Sequence, residues 1–471
     1  MKYSIKEKNN FTNIINIALL LAFILVGFLS GANHEPWADE AQGWLIARDV
    51  PLSDIFRISS YEGTQPLWYI VIKLFQLFNL KYEYFFVISL TATALGAAIL
   101  LFRIDISITS KILILFSFVT IYQCISVARS YSLVFPFLMM IAASYKDRTE
   151  KPLMFFAGVF LLSLTSSYGT IMAGSFLLIC LAESIYAFRK KQKEKTKFTF
   201  EFIACCILIG LLTLLIIPDR KDLAFWPGRS TLTFSQRVVM CFLFNTPQKV
   251  LAAILAFALI AFFVYYMMQS KSLVNAFIIT FPVAFYIRFF AGNNWHLTNL
   301  YFLVIAELII FKPDFNKLKK SALYFIKTFI VLVMCTQVLL AGYNIYQDYK
   351  GEYSGSKKAA EFIDEYVENG NTIYDASNYY ATALQPYFDE NIYINHPTKD
   401  GYYFWSMSNG YFESNDLDEI ATKYGTEPTI IVDHPINQNS FKGYEKHVFE
   451  GNMYYKNTAA NDSEIIVWVK K

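Results

Sequence analysis

Apolar blocks of roughly 16–22 residues recur along this chain between short charged loops, and they limit its architecture most. In hydrocarbon such a block must bond its own backbone, so each reads as a helix crossing a bilayer. Only 17% of the 471 residues are charged, against about a quarter in soluble domains. Eleven blocks qualify: 11–31, 83–102, 111–128, 131–145, 153–168, 169–187, 199–218, 249–269, 274–291, 297–311 and 322–346. A shorter apolar stretch at 66–78 carries Lys73 and Gln76 and can either span or lie along the surface.

The positive-inside rule decides between these. With a cytoplasmic N-terminus and 66–78 not spanning, nineteen basic residues fall in compact inner loops, and ten fall in the longer outer loops before the tail. Letting 66–78 span would put the cluster at 189–197 outside. The expectation is therefore a long first outer loop, 32–82, containing an interfacial or re-entrant helix, in a multi-pass protein of the plasma membrane. A basic N-terminus before the first block suggests a signal peptide, but no clear A-x-A site follows, so an uncleaved first helix is expected. The six cysteines all lie in or beside apolar segments without metal-ligand spacing. Nothing in the charge pattern points to nucleic acid.

From about residue 348 the chain turns hydrophilic, and the same count places it outside. Residues 354–370 and 416–425 read as helices and 371–377 and 428–434 as short buried strands. Residues 444–457 read as a hairpin turning at Gly451-Asn452. Two domains follow, 1–347 in the membrane and 348–471 as a small extracytoplasmic α/β domain.

Chemically diverse polar groups gather at the outer ends of the helices. HEPWADEAQGW at 34–44 places Asp39 and Glu40 just past the first span. Neighbouring side chains on a helix diverge by about 100°, so the two carboxylates have different tasks: one can accept a proton, while the other orients it or binds a cation. A solvated helix end is the plain alternative. Glu62 and Gln65 follow in the same loop. Arg129 and Tyr131 stand at one hairpin tip and Tyr168 at another, and Arg288 and His296 flank a third. Either arginine can reach lipid phosphate as a snorkelling side chain or as part of a site. His296 fits a cap, a phosphate contact or a metal ligand. Asp39 with Glu40 suits an oxygen-ligated Mg²⁺ or Mn²⁺. Asp219 to Asp222 also face outward. The aromatic run 401–412 can stack on sugars or simply pack.

Four segments carry a resemblance: DEAQGWLIARD (39–49), GTQPLWYIVIKLF (63–75), ARSYSL (128–133) and WHLTNLYF (295–302). With the tail opening SGSKKAAEFIDEY, they resemble the GT-C superfamily of membrane glycosyltransferases. The similar branch is the bacterial one related to protein O-mannosyltransferases and lipid A aminoarabinose transferases. The resemblance implies a GT-C-like α-helical polytopic fold. It also implies transfer of a sugar from a polyprenyl-phosphate monosaccharide to a glycan, lipid or protein acceptor of the cell envelope, usually with inversion. Asp39 would be the general base and Glu40 its support or a cation ligand. Arg129, His296 and Arg288 would contact the donor phosphate; Glu62, Gln65, Tyr131 and Tyr168 would line the substrate. A second acidic motif is missing, which leaves a metal open. Two other readings stand: a transporter or flippase for lipid-linked glycans, and a polymerase or ligase working through residues 219–248. The crowding of polar groups at one surface rather than at the midplane favours the enzyme over the transporter.

Overall fold

The computed structural model describes residues 2–192, 195–217, 232–243, 248–289, 294–377, 379–396, 401–403, 405–406, 414–451 and 463–471. The helices in chain order are α1 Lys2–Gly31, α2 Ala38–Asp49, α3 Ile55–Ser59, α4 Pro66–Gln76, α5 Phe86–Arg103, α6 Ile108–Leu115, α7 Val134–Ser144, α8 Pro152–Ser163 and α9 Ser167–Arg189. They continue with α10 Thr196–Leu215, α11 Phe234–Leu243, α12 Lys249–Gln269, α13 Leu273–Phe289, α14 Leu297–Ile310, α15 Lys320–Lys350, α16 Ser356–Glu368 and α17 Leu417–Tyr424.

Among the described residues, seven helical stretches are long and apolar enough to cross a membrane: Phe11–Gly31, Tyr82–Arg103, Ile108–Ser126, Ser167–Arg189, Thr196–Leu215, Lys249–Gln269 and Lys320–Lys350. Large apolar side chains such as Leu214, Val250, Phe257 and Leu339 stand exposed on their outer faces. In water these would form an unfavourable apolar surface; in lipid they are at home. The chain is thus a helical membrane protein.

The expected count of eleven is corrected. Four of the blocks form shorter helices, Ser130–Ser144, Pro152–Ser163, Leu273–Phe289 and Leu297–Ile310. Twelve residues, as in α8, rise only ~18 Å against a hydrocarbon core of ~30 Å. Hydropathy counts apolar residues but does not register helix ends. Pro152 starts α8, which ends at Ser163, and Ser166 caps α9 by accepting the Gly169 N–H, so the boundary between the expected blocks 153–168 and 169–187 falls earlier and the first block shortens. The expected span at 111–128 is also interrupted: α6 ends at Leu115, and Phe118–Ser126 winds as a π-helix. The short apolar helix α11 lies outside all eleven blocks.

Helix α4, with 11 residues, reaches only ~16 Å, which fits a helix that does not span. It lies on α2. Lys73 Nζ donates to the carbonyls of Ala47 and Val50 at 2.7 and 3.0 Å, at the end of α2. Gly43 makes the approach possible, since a Cβ there would stand 3.2 Å from the Trp68 indole nitrogen.

In the tail, β1 Ile373–Asp375, β2 Ile430–Asp433, β3 Tyr444–Phe449 and β4 Ile465–Lys470 form a sheet in the order β1-β2-β4-β3. β1 runs parallel to β2, and β4 runs antiparallel to both β2 and β3. The expected hairpin is thereby changed: β3 is its first arm, but the partner is β4. The run IIVWV at 465–469, rich in β-branched and aromatic residues, was the signal for it. Residues 452–457 of the expected hairpin lie outside the described residues, as do Asp219 to Asp222. The tail is seated on the segment between α1 and α5. Ser356 Oγ donates to the Pro36 carbonyl at 2.9 Å and Arg48 Nη1 to the Phe388 carbonyl at 2.8 Å. One apolar core continues from Phe23 and Tyr122 through Tyr353 to Val432.

Candidate functional site

Asp39 and Glu40 occupy the first turn of α2, where backbone N–H groups favour negative charge. Their side chains go separate ways. Asp39 Oδ2 pairs with the Arg129 guanidinium, and Oδ1 accepts the Tyr379 hydroxyl from the tail. Both partners of the ion pair keep some access to solvent, 15% for Asp39 and 18% for Arg129, so a substrate can reach them. Burial and the Asp39 charge push the Tyr379 hydroxyl well above its usual range, so it remains a donor.

Glu40 is buried, and both its oxygens are engaged. Oε1 accepts the Ala128 N–H at 2.8 Å. Oε2 accepts the Trp37 N–H and faces His34 Nε2, each at 3.3 Å. His34 Nδ1 in turn faces Asp348 Oδ2 at 3.1 Å, and Tyr122 donates to Asp348 Oδ1 at 2.9 Å. Burial opposes charge on His34, but Glu40 and Asp348 outweigh it and raise the imidazole to about 10. It is a buried imidazolium held between two carboxylates.

Arg129 lies over two rings, with its central carbon 5.4 Å from the centroid of Tyr131 and 5.6 Å from that of Trp295. His296 continues the cluster, 6.2 Å from Tyr131 and 5.2 Å from Tyr168. Loss of water around the ring and the nearby Arg129 charge push His296 down to about 3, so it is neutral. The His296 Nδ1 and the Tyr168 hydroxyl are buried without a hydrogen-bond partner among the described residues. Such atoms invite a ligand.

Glu62 accepts from Gln42 Nε2 at 3.0 Å, and Gln42 also donates to the Tyr403 carbonyl at 2.9 Å. Burial, reinforced by the Asp39 charge, raises Glu62 to about 8 despite the Trp405 N–H bonded to it. Above Asp39, Tyr379 lies 5.5 Å from Tyr403 and 5.3 Å from Trp405. The described part of the aromatic run at 401–412 thus reaches Asp39 through Tyr379 and meets Glu62 directly.

Asp39, Arg129, Tyr131, Tyr168, His296 and Glu62 therefore form one connected group. Gln65 stands beside it, where its backbone N–H donates to the Thr165 carbonyl at 3.3 Å. Arg288 makes none of these contacts. It ends α13 over the Phe289 ring and, with Arg237, lines an apolar cavity of about 400 Å³ between α11, α12, α13, α14 and α15. Buried Arg237 donates from Nη1 to the Ile287 carbonyl, and its Nε has no partner among the described residues.

The donor set does not suit the divalent cation considered for Asp39 and Glu40. Asp39 is spent on a guanidinium and a hydroxyl, and Glu40 on an imidazolium and two backbone N–H groups. Among the described residues no three His, Cys, Asp or Glu side chains group to hold an ion. Sequence reasoning missed Tyr379, Gln42, Arg237 and the His34–Asp348 pair. His34 lay in the motif itself, but its partner is 314 residues away, and no local pattern marks it. No protein-family model matches the chain and no curated protein matches it.

Proposed function

We propose that the chain is an integral-membrane glycosyltransferase of GT-C type, moving a sugar from a polyprenyl-phosphate donor to a cell-envelope acceptor at the outer face. The observation that carries this reading is the accessible Asp39–Arg129 pair, set between an aromatic group from the tail and the box of Tyr131, Tyr168, Trp295 and His296. Sugar transfer from a lipid phosphate needs a base for the acceptor hydroxyl and a cation for the departing phosphate. Asp39 and Arg129 supply one of each.

In this mechanism the donor phosphate competes with Asp39 for the guanidinium, whose fork suits phosphate. Asp39 is then released to take the acceptor proton. The acceptor oxygen bonds to the anomeric carbon as the bond from that carbon to the phosphate oxygen breaks, and the lipid phosphate leaves with the electron pair. Tyr379 orients Asp39, and the half-buried Trp405, backed by Tyr403, offers a ring for sugars. The apolar cavity with Arg237 and Arg288 on its wall supports a lipid-linked donor over a soluble nucleotide sugar.

The test is Asp39→Asn in proteoliposomes given a radiolabelled polyprenyl-phosphate sugar. Transfer should fall by about 10²–10⁴-fold, the usual worth of a general base. A wild-type rate would remove Asp39 from the chemistry. A reporter fused after residue 350 should read extracytoplasmic.

A further inference from the structure

Glu40 adjoins Asp39 and Ala128 adjoins Arg129. The single hydrogen bond from the Ala128 N–H to Glu40 Oε1, at 2.8 Å, therefore joins the two segments one residue away from the Asp39–Arg129 pair on each side. We infer that Glu40 and His34 are positioning residues, part of a buried clasp Asp348–His34–Glu40–Ala128 that sets how Asp39 meets Arg129. The clasp gains functional meaning from the reading of Asp39 and Arg129 as the reacting pair.

Three observations carry it. First, the Glu40 side chain is wholly buried, at 0% exposure, and a carboxylate stays in such a place only with a cation and donors around it. His34 is that cation; the Trp37 and Ala128 N–H groups are the donors. Second, the His34 imidazole is held at both nitrogens, so its orientation is set by Asp348 as much as by Glu40. Third, Asp348 sits in the last turn of α15, where the chain leaves for the tail, and Tyr353 lies 4.1 Å from the His34 ring. The foot of the tail is thus wired to the first turn of α2, while Tyr379 of the same tail touches Asp39 directly. The tail reaches Asp39 by two routes, one through the clasp and one from above. A tail that lifts would loosen both.

The experiment uses the full chain in nanodiscs and measures hydrogen–deuterium exchange alongside sugar transfer. In Glu40→Ala the peptide spanning 127–133 should exchange about tenfold faster, while peptides of the tail sheet keep wild-type rates. In the same variant kcat should fall about 10–100-fold with the donor KM little changed, because the reacting groups are displaced rather than removed. Glu40→Gln keeps an acceptor for Ala128 and should restore most of the protection. If Glu40→Ala does not fold, His34→Gln serves instead, with exchange rising at 127–133 and around residue 348 together. Unchanged exchange at 127–133 in both variants overturns the clasp. So does a uniform rise across every peptide, which marks a merely structural role. Failure of the transfer reading looks different: exchange responds as described, yet transfer survives Asp39→Asn.

Discussion

Two histidines lie close to the same group of residues and meet opposite fates. His34 sits between Glu40 and Asp348 and is raised to about 10; His296 sits among Tyr131, Tyr168 and Trp295 near Arg129 and is lowered to about 3. Burial pushes both imidazoles toward neutrality. The sign of the nearest charge decides whether that push prevails. One region uses a histidine as a fixed cation inside a structural clasp. The other keeps a neutral ring, its Nδ1 without a hydrogen-bond partner among the described residues, near the partly accessible Asp39–Arg129 pair. The charged histidine is locked between two carboxylates, and the neutral one lies beside the accessible Asp39–Arg129 pair.

Breaking the clasp side of this comparison should have the largest effect. His34→Leu leaves two buried carboxylates without their cation, which costs about 3–5 kcal/mol. Thermal unfolding followed by intrinsic fluorescence should show it. The pH dependence has a definite sign. His34 has a folded pKa above its unfolded value of 6.5, so its stabilisation is complete below pH 6.5 and is lost as pH rises through 10. The wild-type melting temperature should fall across that window, and His34→Gln should lack that part of the fall. A flat wild-type profile would mean that the imidazolium does not hold the clasp.

The two regions were not equally visible in the sequence. The acidic pair after the first apolar block, the arginine at one hairpin tip and the histidine at another were legible because each sits at the edge of a hydropathy block, and helix ends on one side must converge. The box around His296 follows from that rule. The clasp does not, because its cation and its second carboxylate lie 314 residues apart and meet only when the tail folds back. Tyr379, 340 residues from Asp39, is hidden for the same reason. Periodicity likewise revealed that α16 and β2 exist but not that β3 pairs with β4. It set the apolar blocks, while caps such as Pro152 and Ser166 set how long each helix runs.

Glu62 lies between the two regimes and gives a middle-sized test. Its folded pKa of about 8 exceeds its ordinary 4.5, so the carboxyl stays neutral at pH 7. Any stability gained from the neutral form is lost as pH rises from 4.5 to 8. Above pH 8 a second negative charge develops close to Asp39 and draws on Arg129. Transfer by the wild type should therefore decline above pH 8 by about fivefold, a Coulomb effect of ~1 kcal/mol at a partly exposed site. Glu62→Gln should lose this limb and keep its neutral-pH rate. If the limb persists in Glu62→Gln, another group produces it.

The smallest effect on stability belongs to His296, and it sharpens the contrast most. A neutral ring in an aromatic box contributes shape, and phenylalanine has nearly the same shape. His296→Phe should shift unfolding by no more than ~0.5 kcal/mol at pH 7. The sign with pH is the reverse of that for His34. Its folded pKa lies below its unfolded value, so stability is present above 6.5 and is lost as pH falls toward 3. The phenylalanine variant should resist acid slightly better than wild type. Function should behave otherwise, because the substitution removes both ring nitrogens, the enclosed Nδ1 among them. A rise in donor KM of about 3–10-fold at constant kcat, without loss of stability, would identify the imidazole as a contact to the donor. An unchanged KM would leave His296 as packing beneath Arg129, and the distinction between the two regions would then rest on Arg129 alone.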